Sequence, residues 1–120
     1  MPRQADSLLV EIYLWEGDVE AALREAKTGG CSEPLWLQLA AALEARQPED
    51  AIEIYKDRVD PIVDRRNNQA YDEAAELLRK IQELMRRTGQ APAFLDYVAA
   101  VRARHKAKRN FMQRIADLVE

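Results

Sequence analysis

The chain has 120 residues, of which 48% are apolar, with a formal net charge of −3, one Cys and one His. That is enough for one domain core without disulfides or metals, and a single thiol excludes both a disulfide framework and a multi-cysteine zinc site. No apolar run approaches the roughly 20 residues that cross a bilayer, and Met1–Asp6 lacks the apolar stretch of a signal peptide. A cytoplasmic protein with no membrane partner is the expectation.

Charge is polarised along the sequence. Residues 1–60 hold 6 basic and 13 acidic side chains, a net of −7, whereas residues 61–120 hold 12 and 8, a net of +4. Ala, Leu, Glu and Arg dominate and period-two alternation is missing throughout, so helices are expected and strands are not.

The first helix is predicted from Asp6 to about Glu16, with Leu8, Leu9, Ile12 and Tyr13 along one face and Gly17 ending it. Asp18 is positioned to cap the next helix, in which Val19, Ala22, Leu23 and Ala26 repeat at helical spacing. The short connection at Gly17 requires these two helices to fold back on each other. A second pair repeats the plan. Ser32 is a candidate cap, Pro34 lies in the first turn, and Trp36, Leu39, Ala40 and Leu43 form a stripe. Pro48 then opens a helix carrying Glu49 and Asp50 in its first turn, continued by Ala51, Tyr55, Val59, Ile62 and Val63. Pro61 removes one intrahelical hydrogen bond, which predicts a kink near Asp57–Asp60 or a break into two pieces.

After the polar turn Arg65–Gln69 comes the most regular segment, with Tyr71, Ala74, Ala75, Leu78, Ile81, Leu84 and Met85 on one broad face and Gly89 as its stop. Pro92 starts the next helix, whose stripe is Phe94, Val98, Val101 and His105. Met112, Ile115 and Val119 extend this period beyond Asn110, and a helix boundary is expected near Lys108–Asn110.

These helix pairs resemble tetratricopeptide repeats at Trp36, Leu39, Ala40, Ala51 and Tyr55. The intervals of 29 residues from Ala22 to Ala51 and 24 from Ala51 to Ala75 depart from the usual repeat length of about 34. The second half resembles the C-terminal helical region of bacterial SWIM zinc-finger proteins at Tyr71–Leu78, Phe94–Tyr97 and His105–Phe111. The zinc motif of that family, Cys-x-Cys followed by Cys-x-His, is absent here, so the resemblance implies only an accessory helical region and no zinc-dependent role.

Few residues carry chemical names. His105 lies on an apolar stripe and reads as a core histidine bonded to a carbonyl or carboxylate of a neighbouring helix end. Cys31 follows Gly29-Gly30 near a helix start but has no identifiable base, and those glycines lack the Lys-Ser/Thr of a phosphate loop. Asp72, Glu73 and Glu76 are expected in the first turn of a helix, where its dipole favours acids. Between Tyr97 and Ala116 there is no acid, while Arg102, Arg104, Lys106, Lys108, Arg109 and Arg114 cluster. On a continuous helix those cations would spread over two sides, as on a solvated surface.

The sequence therefore predicts an all-α chain of six or seven helices. Antiparallel pairs, at about 6–28, 33–66 and 69–108, would stack as a short right-handed tetratricopeptide-like superhelix with a terminal helix at about 110–119, all in one domain. The expected function is a non-enzymatic protein- or peptide-binding scaffold, or an accessory domain of a larger protein, with no catalytic residues, metal or cofactor. Trp15 is the candidate anchor because it lies off the face set by Leu9, Ile12 and Tyr13. The alternative is a nucleic-acid-associated module using Arg102, Arg104, Lys106, Lys108 and Arg109.

Overall fold

The computed structural model describes residues 2–119, with side chains described for 8–118. The described residues form seven α-helices and a closing 3₁₀ turn, with no strand among them. The helices are α1 (Pro2–Trp15), α2 (Val19–Gly29), α3 (Glu33–Leu43), α4 (Pro48–Val63), α5 (Asn68–Arg87), α6 (Ala91–Arg104) and α7 (Arg109–Arg114), and the 3₁₀ turn is Ala116–Val119. The all-α class is as expected. Contacts group the chain into two compact units that divide at Ile54 and Tyr55, inside α4.

In the first unit α1 packs on α2, and both touch α3. Gly17 takes φ 81°, a left-handed conformation open to glycine without penalty, and lets α1 reverse into α2 within three residues. Asp18 caps α2 as expected, its carboxylate accepting from the Ala21 amide at 3.2 Å. Ser32 occupies the position before α3, yet its side chain makes no capping bond. Four apolar side chains of α2 are buried, Ala21, Ala22, Leu23 and Ala26, and four of α3, Leu35, Leu39, Ala40 and Leu43. Trp36, expected on the stripe of α3, is only half-buried; Leu35 takes that place in the core.

The larger correction concerns α1. The helix begins at Pro2 rather than Asp6, with proline in the helix start where its missing amide is no loss. Its fully buried described residue is Val10, while Leu8, Leu9 and Ile12 are exposed. Nearly every side of this helix carries apolar residues, so the spacing alone offered two faces, and packing selects the one bearing Val10.

In the second unit α5 is the central element, contacting both α6 and α7, and the 3₁₀ turn closes on α6. Asn67 caps α5 by accepting from the Ala70 amide at 2.7 Å. All seven expected stripe residues of α5 are buried. Phe94, Val98 and Val101 of α6 are buried with them, and so are Phe111, Ile115 and Leu118. Phe111 stands between two rings, its centroid 5.8 Å from Tyr71 and 5.8 Å from His105, the latter edge-on. Of the residues expected to extend the period, Met112 is half-buried, and the Val119 side chain lies outside the described residues.

Two boundaries differ from expectation, and a third falls where expected. α4 is one helix through Pro61 to Val63, not two pieces. Pro61 and Asp57, whose carbonyl loses its intrahelical donor, are both exposed, so water can satisfy that carbonyl. α6 stops at Arg104, and the expected break near Lys108–Asn110 appears as a turn ending at Lys108, the residue preceding α7. The terminal helix expected at 110–119 is instead α7 followed by the 3₁₀ turn, a tighter winding usual in short chain ends.

Candidate functional site

The described chain exposes five large hydrophobic side chains, and four of them belong to α1. Trp15 is 87% exposed, Leu8 57%, Ile12 40% and Leu9 39%. With about 100° between successive residues, Leu8, Ile12 and Trp15 fall within about 60° of one another and run along two turns, roughly 10 Å. Trp15 is thus part of an exposed stripe with Leu8 and Ile12, rather than off the face as the spacing with Leu9 and Tyr13 implied. Val10 looks the opposite way. A helix that is apolar on both sides is ordinarily covered on both, and a cluster of exposed apolar groups on a protein surface marks an interaction site.

Acids border the stripe. Glu11 and Glu16 project on either side of it, both exposed, and among the described residues neither pairs with a cation. Asp18 and Glu20 follow, and no Lys or Arg occurs between residues 8 and 23. Two features decide what such a surface can do. A large aromatic group flanked by aliphatic ones supplies the desolvation that dominates binding energy, and fixed charges around it select the partner.

The basic residues singled out by sequence are not brought together on one helix. Arg102 and Arg104 lie in the last turn of α6, Lys106 in the turn, Lys108 before α7 and Arg109 at its start. Arg104 Nε lies 3.2 Å from Asp60 Oδ2. Lys108 Nζ donates to His105 Nδ1 at 3.2 Å and lies 3.9 Å from Asp64. Arg102 is half-buried; Lys106 and Arg109 are exposed. Lys108, Arg109 and Asn110 share an open concavity of about 540 Å³ with Arg66 and Tyr71. Tyr97 is half-buried beneath Lys56, whose Nζ stands 4.9 Å above the ring. Of these five cations Arg104 and Lys108 thus face carboxylates, Lys106 and Arg109 are exposed, and the rings of Tyr97 and Phe111 are half-buried and buried respectively.

His105 is buried, 5% exposed, and its Nε2 lies 2.7 Å from Asp60 Oδ1 at the end of α4, the helix-end carboxylate partner its position called for. Cys31 is half-buried in the loop before α3. Asp72, Glu73 and Glu76 lie beyond the first turn of α5, which starts at Asn68 and holds no acid, so they act not on the helix dipole as expected but as surface ion pairs, Asp72 with Arg114, Glu73 with Arg65 and Glu76 with Arg79. Among the described residues, no group of three His, Cys, Asp or Glu is placed to hold a metal ion. No described helix is long and apolar enough to cross a membrane.

The stripe on α1 was only partly visible in the sequence. Spacing sets Trp15 off the face of Leu9, Ile12 and Tyr13, whereas Leu8 and Ile12 are exposed along with it; the signal that separates the two sides is Val10, whose phase marks the second apolar side of the helix. No family model matches the chain, and no curated protein or solved structure matches it.

Proposed function

We propose that this chain is a non-enzymatic helical scaffold that binds a protein partner through the exposed face of α1. The observation that carries this reading is the stripe Leu8–Ile12–Trp15, whose largest side chain is 87% exposed. Helix faces of this kind engage partner helices through anchors spaced three, four and seven residues apart, the spacing Leu8, Ile12 and Trp15 provide. A place as an accessory helical region in a larger cytoplasmic protein, which the resemblance to SWIM zinc-finger proteins would imply, is compatible with that role. The nucleic-acid alternative draws less support, because Arg104 and Lys108 face Asp60 and Asp64.

Selection of binders from a library of helical peptides tests the reading. Bound peptides are expected to shift the backbone NMR signals of Leu8–Glu16 and to lose affinity at least tenfold with Trp15→Ala, whose thermal melt stays that of the parent. Binders indifferent to Trp15 would remove α1 as the site.

A further inference from the structure

We infer that the occupant of the α1 face is a basic amphipathic helix of another protein, an inference that rests on the interaction reading above. The apolar stripe fixes one half of the occupant's chemistry. It must supply its own apolar ridge over about two turns, because Trp15, Leu8 and Ile12 gain from contact only with groups that exclude water. The flanks fix the other half. Glu11 and Glu16 lie on opposite sides of the stripe, both exposed, and no cation occurs from residue 8 to residue 23. A helix laid along the stripe therefore meets a carboxylate at each edge. Lys or Arg at its flanking positions would pair with both, while Asp or Glu there would be repelled.

No single surface of a second copy of this chain meets both requirements. Pairing α1 with α1 about a two-fold axis sets the acidic borders of one copy against those of the other. A head-to-tail arrangement on the basic half meets Arg102, Arg104, Lys106 and Arg109, but the described surface there offers only Leu95, 41% exposed, as a large apolar counterpart. Attraction without an apolar ridge leaves Trp15 in water. The partner is accordingly a separate chain combining cations and an apolar stripe on one helix.

The test uses three synthetic helical peptides with one common Leu-rich stripe, flanked by Lys and Arg, by Gln, or by Glu, titrated into the full chain by fluorescence anisotropy. The basic peptide is expected to bind at least tenfold more tightly than the Gln peptide, to weaken with added salt, and to perturb the NMR signals of Leu8, Ile12 and Trp15. The Glu peptide is expected not to bind. The double variant E11K/E16K, altered at two exposed positions, should invert the order. Equal binding of all three peptides, lost with Trp15→Ala, would overturn the charge requirement and leave the α1 interface standing. Failure of all three to bind would overturn the inferred occupant, and the library selection then decides separately whether α1 binds anything. Self-association in sedimentation that disappears with Trp15→Ala would replace the separate partner by a second copy.

Discussion

Asp60 and His105, 45 positions apart, are joined by a hydrogen bond of 2.7 Å from His105 Nε2–H to Asp60 Oδ1. The Lys108 ammonium, 3.2 Å from the other ring nitrogen, can only donate, so Nδ1 accepts and the neutral ring carries its proton on Nε2. Arg104 reaches the same Asp60 carboxylate. The end of α4 is thereby tied to the end of α6 at a ring that also packs edge-on against Phe111.

Asp60→Ala removes the acceptor and leaves a buried ring N–H without its partner, which costs about 1–3 kcal/mol. Asp60→Asn retains a carbonyl oxygen as acceptor and loses less. Urea denaturation should rank the parent above Asp60→Asn and Asp60→Asn above Asp60→Ala. Nitrogen chemical shifts of His105 should report the Nε2–H tautomer, and the opposite tautomer would show that Lys108 does not donate to the ring.

Arg66 is the one described residue other than glycine with positive φ, at 58°. It ends α4, its amide donating to the Val63 carbonyl at 3.0 Å, and Asn67 follows as the cap of α5. A left-handed conformation costs a residue with a Cβ roughly 1–2 kcal/mol, part of which glycine returns through its larger unfolded-state entropy. Arg66→Gly should therefore raise stability by about 1 kcal/mol, and Arg66→Val should lower it. A denaturation midpoint that falls for the glycine variant would mean that the arginine side chain contributes more than its backbone loses.

Glu83 and Arg86 form a two-point pair, with Nη2 2.6 Å and Nε 3.1 Å from the two carboxylate oxygens. These hydrogen bonds, with the charges of Arg86 and Arg87, hold the Glu83 carboxyl below its ordinary value, and the same bonds with the Glu83 charge raise the Arg86 guanidinium. A carboxyl whose folded pKa lies below the unfolded one adds stability above the unfolded value and loses it as pH falls through the folded value. Both groups are exposed at the surface, so the pair matters as a titration marker. Arg86→Gln should move the Glu83 midpoint upward in an NMR pH titration; an unchanged midpoint would show that the pair is open in solution.

The legibility of this fold in its sequence followed the breadth of each apolar face. In α5 a single broad face leaves one orientation that buries Tyr71, Leu78, Ile81 and Met85 together, and spacing was sufficient to find it. In α1 the residues Leu8, Leu9, Val10, Ile12, Tyr13 and Leu14 surround the helix, so periodicity named an apolar helix without choosing its inner side. The choice came from packing on α2 and α3, which takes Val10 inward. The exposed stripe is hidden in the sequence for the same reason: its aliphatic members resemble core residues. Pro61 does not break α4, because a lost hydrogen bond near an exposed helix end is tolerated where water reaches the carbonyl.

Trp15 and Phe111 separate the two kinds of aromatic residue this chain carries. Phe111 is fully buried between Tyr71 and His105, so Phe111→Ala opens a cavity and should cost about 3–5 kcal/mol. Trp15 is larger, yet its side chain buries little, and Trp15→Ala should change stability by no more than about 0.5 kcal/mol. Thermal or urea unfolding of the two variants tests both assignments together. A large loss with Trp15→Ala would place the indole in a core and withdraw it as an anchor, whereas a parental melt leaves its apolar area for a partner to cover. An intact melt for Phe111→Ala would in turn show that the second unit does not depend on the ring that joins α5, α7 and His105.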